Sequence, residues 1–464
     1  MSRPVDPFVE RMREAAQPEI AIATFAHYYE QLRRGGDGLI AEAEIESVTE
    51  LPSFLGLPAS ASAGLSALPA TVVIKLNGGL ATSMGMSRAK SLLVAKGGLT
   101  FLDIIARQLL WLRDQHACRL PLLLMNSFRT RSDTLAHLAA YDLDVDLPLD
   151  FMQHRVPKVR ASDLAPALWP ADPGLEWCPP GHGDLYAALL SSGALDLLLA
   201  AGYRFAFVSN ADNLGATLDL SILGWFALSD LAFAMEVADR CEADRKGGHL
   251  ARRADGRLLL RERAQCPADD LAAFEDWQRH RFFNTNNLWL DLAALHDALR
   301  ERGGVLGLPM IRNVKPIDPS NPDSPLAYQL ETAMGSAIAA FERAGAIHVP
   351  RSRFLPVKTT SDLLVLRSDA FTLDDRYQVT LHPHRTAPPI VELDDCYYRF
   401  IGDFEARFPC GPPSLLHCER LSISGDLEWS HGVSVAGRCQ CRSAGDKRSV
   451  IPSGAVLAGD IVFS

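Results

Sequence analysis

A chain of 464 residues is longer than one hydrophobic core comfortably holds, so a catalytic-sized domain with smaller appendages is expected. A net charge of −10 argues against a general nucleic-acid binder while leaving room for a local cationic pocket; 48% apolar and 22% charged residues are ordinary for a soluble globular protein. No apolar run reaches bilayer-spanning length and the opening MSRPVDPFVERMREAAQ has no apolar signal core, so a cytoplasmic protein without a membrane partner is expected.

Residues 1–68 read as an N-terminal helical segment packed on the main domain. Phe8, Met12 and Ala15, then Ile22, Phe25, Tyr28, Tyr29 and Leu32, recur at helical spacing before Gly35-Gly36 stops the second helix. LPSFLGLPASASAGLSALPA, rich in Pro, Ser, Gly and Ala, reads as a flexible connector. From 69 to 385 short apolar runs alternate with helical stretches: a strand at Val72 to Leu76, a helix at Leu102 to Leu112, a strand at Leu120 to Met125, a helix near Tyr186 to Leu199 and a strand at Phe205 to Val208. That alternation points to an α/β sheet, mostly parallel, with its site at the strand C-terminal ends.

The tail, 386–464, changes character. Leu421, Leu427, Val433 and Cys439 recur every sixth position, and the series is expected to resume with Val450, Val456 and Val462 after a loop, CRSAGDKRS, at 441–449. A hexad with small and turn residues is the pattern of a parallel β-helix; ordinary hairpins are the other reading. The nine cysteines show no CxxC pair and read as buried free thiols, with Cys439 and Cys441 on one face of a strand.

The stretch that carries chemistry is VVIKLNGGLATSMGMSRAKSL. A buried strand runs into Asn77-Gly78-Gly79, where a backbone without Cβ atoms can take positive φ and turn successive N–H groups toward a triphosphate, with Lys90 adding a point charge. The string has neither the GxxxxGK[ST] order of a P-loop nor the GxGxxG spacing of a dinucleotide fold, which counts against both families. Further on, VSNADN sets Asp212 just past a strand, where one carboxylate can hold Mg²⁺ against phosphate oxygens. His182, between two glycines, can project into a cleft. NTNN offers several amides in one turn, suited to sugar hydroxyls, and LPVKTTSD suggests that Lys358 emerges from a strand into a cleft.

Four segments in one order carry a resemblance: LNGGLATSMGMSRAKSLL, the long run from Gly181 to Asp219, FNTNNLWLDLAAL from Phe283 and PRSRFLPVKTTSDLL from Pro350. Together they resemble the UTP–glucose-1-phosphate uridylyltransferases of eukaryotic type. The resemblance implies a Rossmann-like mixed-sheet nucleotide-sugar transferase domain at 69–385, a left-handed parallel β-helix at 386–464, and formation of UDP-glucose and pyrophosphate from UTP and glucose 1-phosphate with Mg²⁺. It assigns Leu76, Asn77, Gly78, Gly79, Lys90, Gln153, Gly181, Asn210, Asp212 and Lys358 to the nucleotide, and Gly78, Gly79, His182 and Asn286 to the sugar phosphate. Asp212 becomes the metal ligand, and Lys90, Lys358 and Asp212 the catalytic set. A side-chain amide at Gln153 suits the imide edge of uracil. Action on N-acetylhexosamine 1-phosphates or on several sugar phosphates stays open, as does homo-oligomerisation through the β-helix. Two departures stand out: Ala81 replaces the family glycine, and Ser87-Arg88-Ala89 precedes the lysine where many members have Lys-Gly-Pro.

Overall fold

A computed structural model describes residues 3–57, 60–143, 146–445 and 447–464. Its centre is a ten-stranded mixed sheet. The strands Phe205–Asn210, Thr71–Asn77, Leu122–Asn126 and Asp150–Met152 lie side by side and parallel, in that order. Beyond Phe205–Asn210 the sheet turns antiparallel at Phe282–Asp291, which also pairs with Phe233–Asp239 and, at one residue, with His249–Arg253. Phe233–Asp239 in turn pairs in parallel with Ala344–His348, so the sheet is mixed, with its longest parallel run in the half that bears the glycine turn.

Both faces of this sheet are covered, which is why its strands read as unbroken apolar runs rather than alternating ones. Val72, Ile74, Leu123, Ala206 and Val208 face one buried cluster with helices Leu185–Ser191 and Ala194–Ala200. Val73, Leu122, Phe207 and Trp289 face another, with helix Phe101–His116. The expected single helix near Tyr186 to Leu199 is two, bent by 65° at a break where Gly193 takes φ +75°. Among the described residues no single helix is long and apolar enough to cross a membrane.

The N-terminal helices Asp6–Glu14 and Glu19–Arg33 bury Phe8, Met12, Ile22, Phe25 and Tyr29 against Val156, Val159, Met310 and Leu330, so they do pack on the main domain. The connector is a correction. Pro58 and Ala59 lie outside the described residues, but Ala61–Ala67 is a helix laid against helix Leu220–Leu228. A Cβ on Gly64 would fall 1.8 Å from Leu220 O, and one on Gly224 1.8 Å from Ser60 O. Small residues here permit close helix approach rather than flexibility.

Four strands of the tail, Ile390–Glu392, Ser414–Ser424, Ser434–Ser443 and Val456–Phe463, pair in parallel, and Leu427–Trp429 pairs in parallel with Ser449–Ile451. Leu421, Leu427, Val433 and Cys439 are buried, as the hexad requires. Its continuation is one residue later than expected: Ile451 and Leu457 are buried, whereas Val450, Val456 and Val462 are 56%, 74% and 66% exposed. The interruption, in which Asp446 lies outside the described residues, preserves the phase instead of shifting it. Valine suits either face of a strand, so apolarity alone misassigned the inward side. Cys439 and Cys441 are buried with sulfurs 3.6 Å apart, but Cys396 and Cys410 are exposed, against the expectation of buried thiols throughout.

Candidate active site

Register builds the site. Asn210 stands opposite Leu76, Asn77 opposite Asn126, and Asn126 opposite Met152, so the C-terminal ends of four parallel strands come level and the residues that follow them meet at one end of the sheet. A cleft of about 310 Å³ opens there, lined by Leu76, Asn77, Gly78, Gly79, Lys90, Gln153, Gly181, His182, Asn210 and Asp212, with Ser91, Met125, Pro179 and Ala211. Ten of the residues singled out in the sequence thus converge; Lys358 and Asn286 do not line this cleft.

Glycine serves close approach here more than positive φ. Gly78 and Gly79 are not among the positive-φ glycines; in this loop Gly85 is, at +73°. A Cβ on Gly78 would lie 2.6 Å from Gln153 Oε1, so the missing side chain lets the amide sit flush against the loop. Gln153 Nε2 donates to Gly181 O (3.0 Å), which ties the glycine loop's neighbour to the Gly-His segment. Gly181 has φ +81°, and a Cβ there would meet Thr332 O at 2.4 Å. Ala81 has φ −79°, open to any L-residue, and its methyl joins the buried cluster, so the departure from the family pattern needs no backbone adjustment.

Asn77 is 3% exposed: Nδ2 donates to Asn126 Oδ1 (2.8 Å) and Thr134 Oγ1 (2.9 Å), and Oδ1 accepts from Ser91. Its side chain holds the loop's return beside Lys90 while its backbone lines the cleft. Lys90 Nζ reaches across to Asp212 Oδ2 at 2.6 Å. His182 Nδ1 accepts the Met334 N–H (3.0 Å), which leaves the ring proton on Nε2. Burial draws this imidazole down to about 4, so it is a neutral donor rather than a cation at neutral pH.

Two expectations change. Lys358 does not emerge from a strand. It precedes helix Thr360–Arg367, its N–H bonds Asp362 Oδ2 (2.8 Å) beside the Thr359–Asp362 capping box, and its side chain is exposed. It is nonetheless brought near the metal candidate, because Val357 N donates to Asp212 O (3.3 Å). Burial lifts the Glu262 carboxyl to about 7, and Lys358 is the charge that pulls it back down. Asn286 lies not in a turn but at a bulge within strand Phe282–Asp291, at φ +58°, its N–H bonded to Asn284 Oδ1 (2.9 Å). Left-handed backbone is uncommon outside glycine, and asparagine tolerates it best.

What sequence reasoning missed is the buried frame beneath. Glu236 accepts from Arg353 Nε (2.6 Å) and Nη2 (2.7 Å), from Asn287 Nδ2 (3.0 Å) and from Trp289 Nε1 (3.0 Å). Asn213 joins the same frame through Asn287 Oδ1 and Arg353 O. These bonds knit three of the four resembling segments to one another. An acid in the middle of the apolar strand FAMEVAD was the available signal, because a buried carboxylate requires donors.

The family profile described as UTP–glucose-1-phosphate uridylyltransferase matches residues 22–436. The chain is 40% identical to the UTP–glucose-1-phosphate uridylyltransferase of Solanum tuberosum over 391 residues, 83% of this chain and 80% of that one. It is 39% identical to that of Saccharomyces cerevisiae over 86% of this chain and 79% of the relative. Among solved structures, a variant of UDP-glucose pyrophosphorylase from Leishmania major in complex with UDP-glucose superposes with a TM-score of 0.93 at 43% identity, covering 100% of both chains. With the profile spanning most of its length and relatives at this identity, the chain belongs to the UTP–glucose-1-phosphate uridylyltransferase family.

Proposed function

We propose that the cleft transfers a uridylyl group from UTP to glucose 1-phosphate, giving UDP-glucose and pyrophosphate. The observation that carries this reading is the meeting of Gly78, Gly79, Lys90, Gln153, Gly181, His182 and Asp212 around one space. An oxygen of the sugar phosphate attacks the α-phosphorus in line and pyrophosphate departs opposite, so no protein nucleophile is required. Bringing two anions together makes positioning and charge neutralisation the main tasks. Lys90 takes the departing phosphates, Lys358 closes on the α-phosphoryl group, the Nε2–H of His182 donates to a substrate oxygen, Gln153 reads uracil and Asn286 holds the sugar.

Asp212 is the one carboxylate among the described cleft-lining residues, and no group of three or more potential metal-ligating side chains occurs among the described residues. That suits Mg²⁺, which is commonly held by one or two carboxylates with substrate phosphates and water rather than by a protein cage. When bound it would supply charge neutralisation at the phosphates. The same reading divides the chain into a helical segment at 1–68, a catalytic domain at 69–385 and a left-handed β-helix at 386–464, supported by the parallel tail strands. It places the enzyme in the cytoplasm and assigns homo-oligomer contacts to the tail.

The test is pyrophosphate release over a matrix of UTP, CTP, ATP and GTP against glucose, galactose and N-acetylglucosamine 1-phosphates. UTP with glucose 1-phosphate should be turned over best. Equal or better use of N-acetylglucosamine 1-phosphate would replace glucose as the assigned sugar.

A further inference from the structure

Lys75 stands two residues before the glycine turn yet never reaches the cleft. It is 3% exposed, and Nζ donates to Ser209 Oγ (2.6 Å) and to Ala216 O (2.8 Å). Both acceptors flank the turn that presents Asp212. That turn is tied to the sheet at its start, where Ala211 N bonds Leu76 O (3.0 Å). Within it, Asn213 N bonds Asn210 O and Ala216 N bonds Asn213 O, each at 3.2 Å. Lys75 closes its far end from below.

A lysine inside a parallel strand is costly to bury. Burial first, then the neighbouring Arg353, bring its amine down to about 7, and the Glu236 carboxylate opposes them only in part. A methionine would pack against Phe207, whose ring centroid is 5.5 Å from Nζ, without that cost. What an apolar side chain could not do is donate to two acceptors at once, which the amine does in either protonation state.

We propose that Lys75 is a positioning residue for the transfer: by holding Ser209 and Ala216 it fixes the turn that sets the Asp212 carboxylate at the cleft. This rests on the reading of Asp212 as the metal ligand. Acting from beneath, Lys75 should govern how well metal improves nucleotide binding and leave metal-free nucleotide binding alone.

The experiment compares wild type, Lys75→Met, Ser209→Ala and Asp212→Asn by calorimetric UTP binding with and without Mn²⁺, and by amide hydrogen exchange over residues 210–217. Lys75→Met should cut the metal-dependent gain in UTP affinity about tenfold, the scale of one charge-assisted hydrogen bond, keep metal-free affinity within about threefold, and speed exchange across the turn. Ser209→Ala, which leaves the bond to Ala216, should shift the gain in the same direction by about threefold and decides the matter if Lys75→Met does not fold. A gain lost in Asp212→Asn but intact in the folded Lys75 and Ser209 variants overturns the role of Lys75 alone. A gain intact in Asp212→Asn overturns the metal assignment and this inference with it.

Discussion

Lys90 Nζ lies 2.6 Å from Asp212 Oδ2, so the cation of the glycine loop and the acid of the opposite wall neutralise each other across the cleft. Both are largely buried, at 16% and 23% side-chain exposure, and each is the group that the proposed function assigns to substrate or metal. Under that proposal, binding exchanges this pair for two new ones, Lys90 with phosphate and Asp212 with metal.

The exchange has a measurable sign. Lys90→Ala should weaken UTP binding by roughly ten- to a hundredfold, the worth of a hydrogen bond to a charged group, while strengthening Mn²⁺ binding in the absence of nucleotide because Asp212 loses its competitor. Paramagnetic titration of Mn²⁺ checks the second half. Unchanged metal affinity would mean that the pair does not restrain Asp212.

On the proposed reading, base selection depends on the contact between Gly78 and Gln153. Gln153→Ala should lower the preference for UTP over CTP, since a site that loses its hydrogen-bonding partner no longer penalises the wrong base. Gly78→Ala should act in the same direction, because the added methyl would sit 2.6 Å from Gln153 Oε1 and displace the amide. The check is kcat/KM for both nucleotides; a ratio untouched by either change would place base reading elsewhere.

How far the sequence was legible depends on whether a residue acts locally or through a partner. The strand ends were readable because apolar runs broken by Asn-Gly-Gly or Asn-Ala-Asp give their position directly, and the cleft residues follow from parallel register. Lys75, Glu236 and Arg353 were not, because a buried polar residue is explained only by partners far along the chain, such as Glu236 with Arg353. NTNN is turn-like in composition, whereas the bulge that accommodates the φ of +58° at Asn286 arises from pairing with strand Phe233–Asp239.

The tail offers a direct contrast between neighbours. Ile451 is fully buried and Val450 is 56% exposed, so Ile451→Ala should cost about 2–5 kcal/mol and Val450→Ala about 0.5 kcal/mol or less. Urea unfolding of the two variants decides it. Equal losses would restore the phase expected from sequence.

Acid should destabilise the protein through its neutral buried histidines. His249 is stacked on His280 at 3.8 Å and lies beside Phe274, with Arg240 and Arg261 also packed around that ring; burial above all, then His280 and Arg240, hold it well below the ordinary histidine range. The unfolded chain takes up that proton near pH 6.5 while the folded chain does not, so stability is full above about pH 7 and falls as pH drops from there. His249→Phe should lose less of its urea midpoint between pH 7.5 and pH 5 than wild type. An identical loss would remove His249 from the acid response.

The most direct test of the whole account is the single-turnover rate of Asp212→Asn at saturating UTP, glucose 1-phosphate and Mg²⁺, beside its circular dichroism. The substitution keeps the side chain's shape and removes its charge, so the rate should fall by roughly a hundredfold or more with the fold intact, the scale of losing one electrostatic stabiliser of the transition state. A folded variant that turns over at the wild-type rate would contradict the assignment of this cleft to uridylyl transfer.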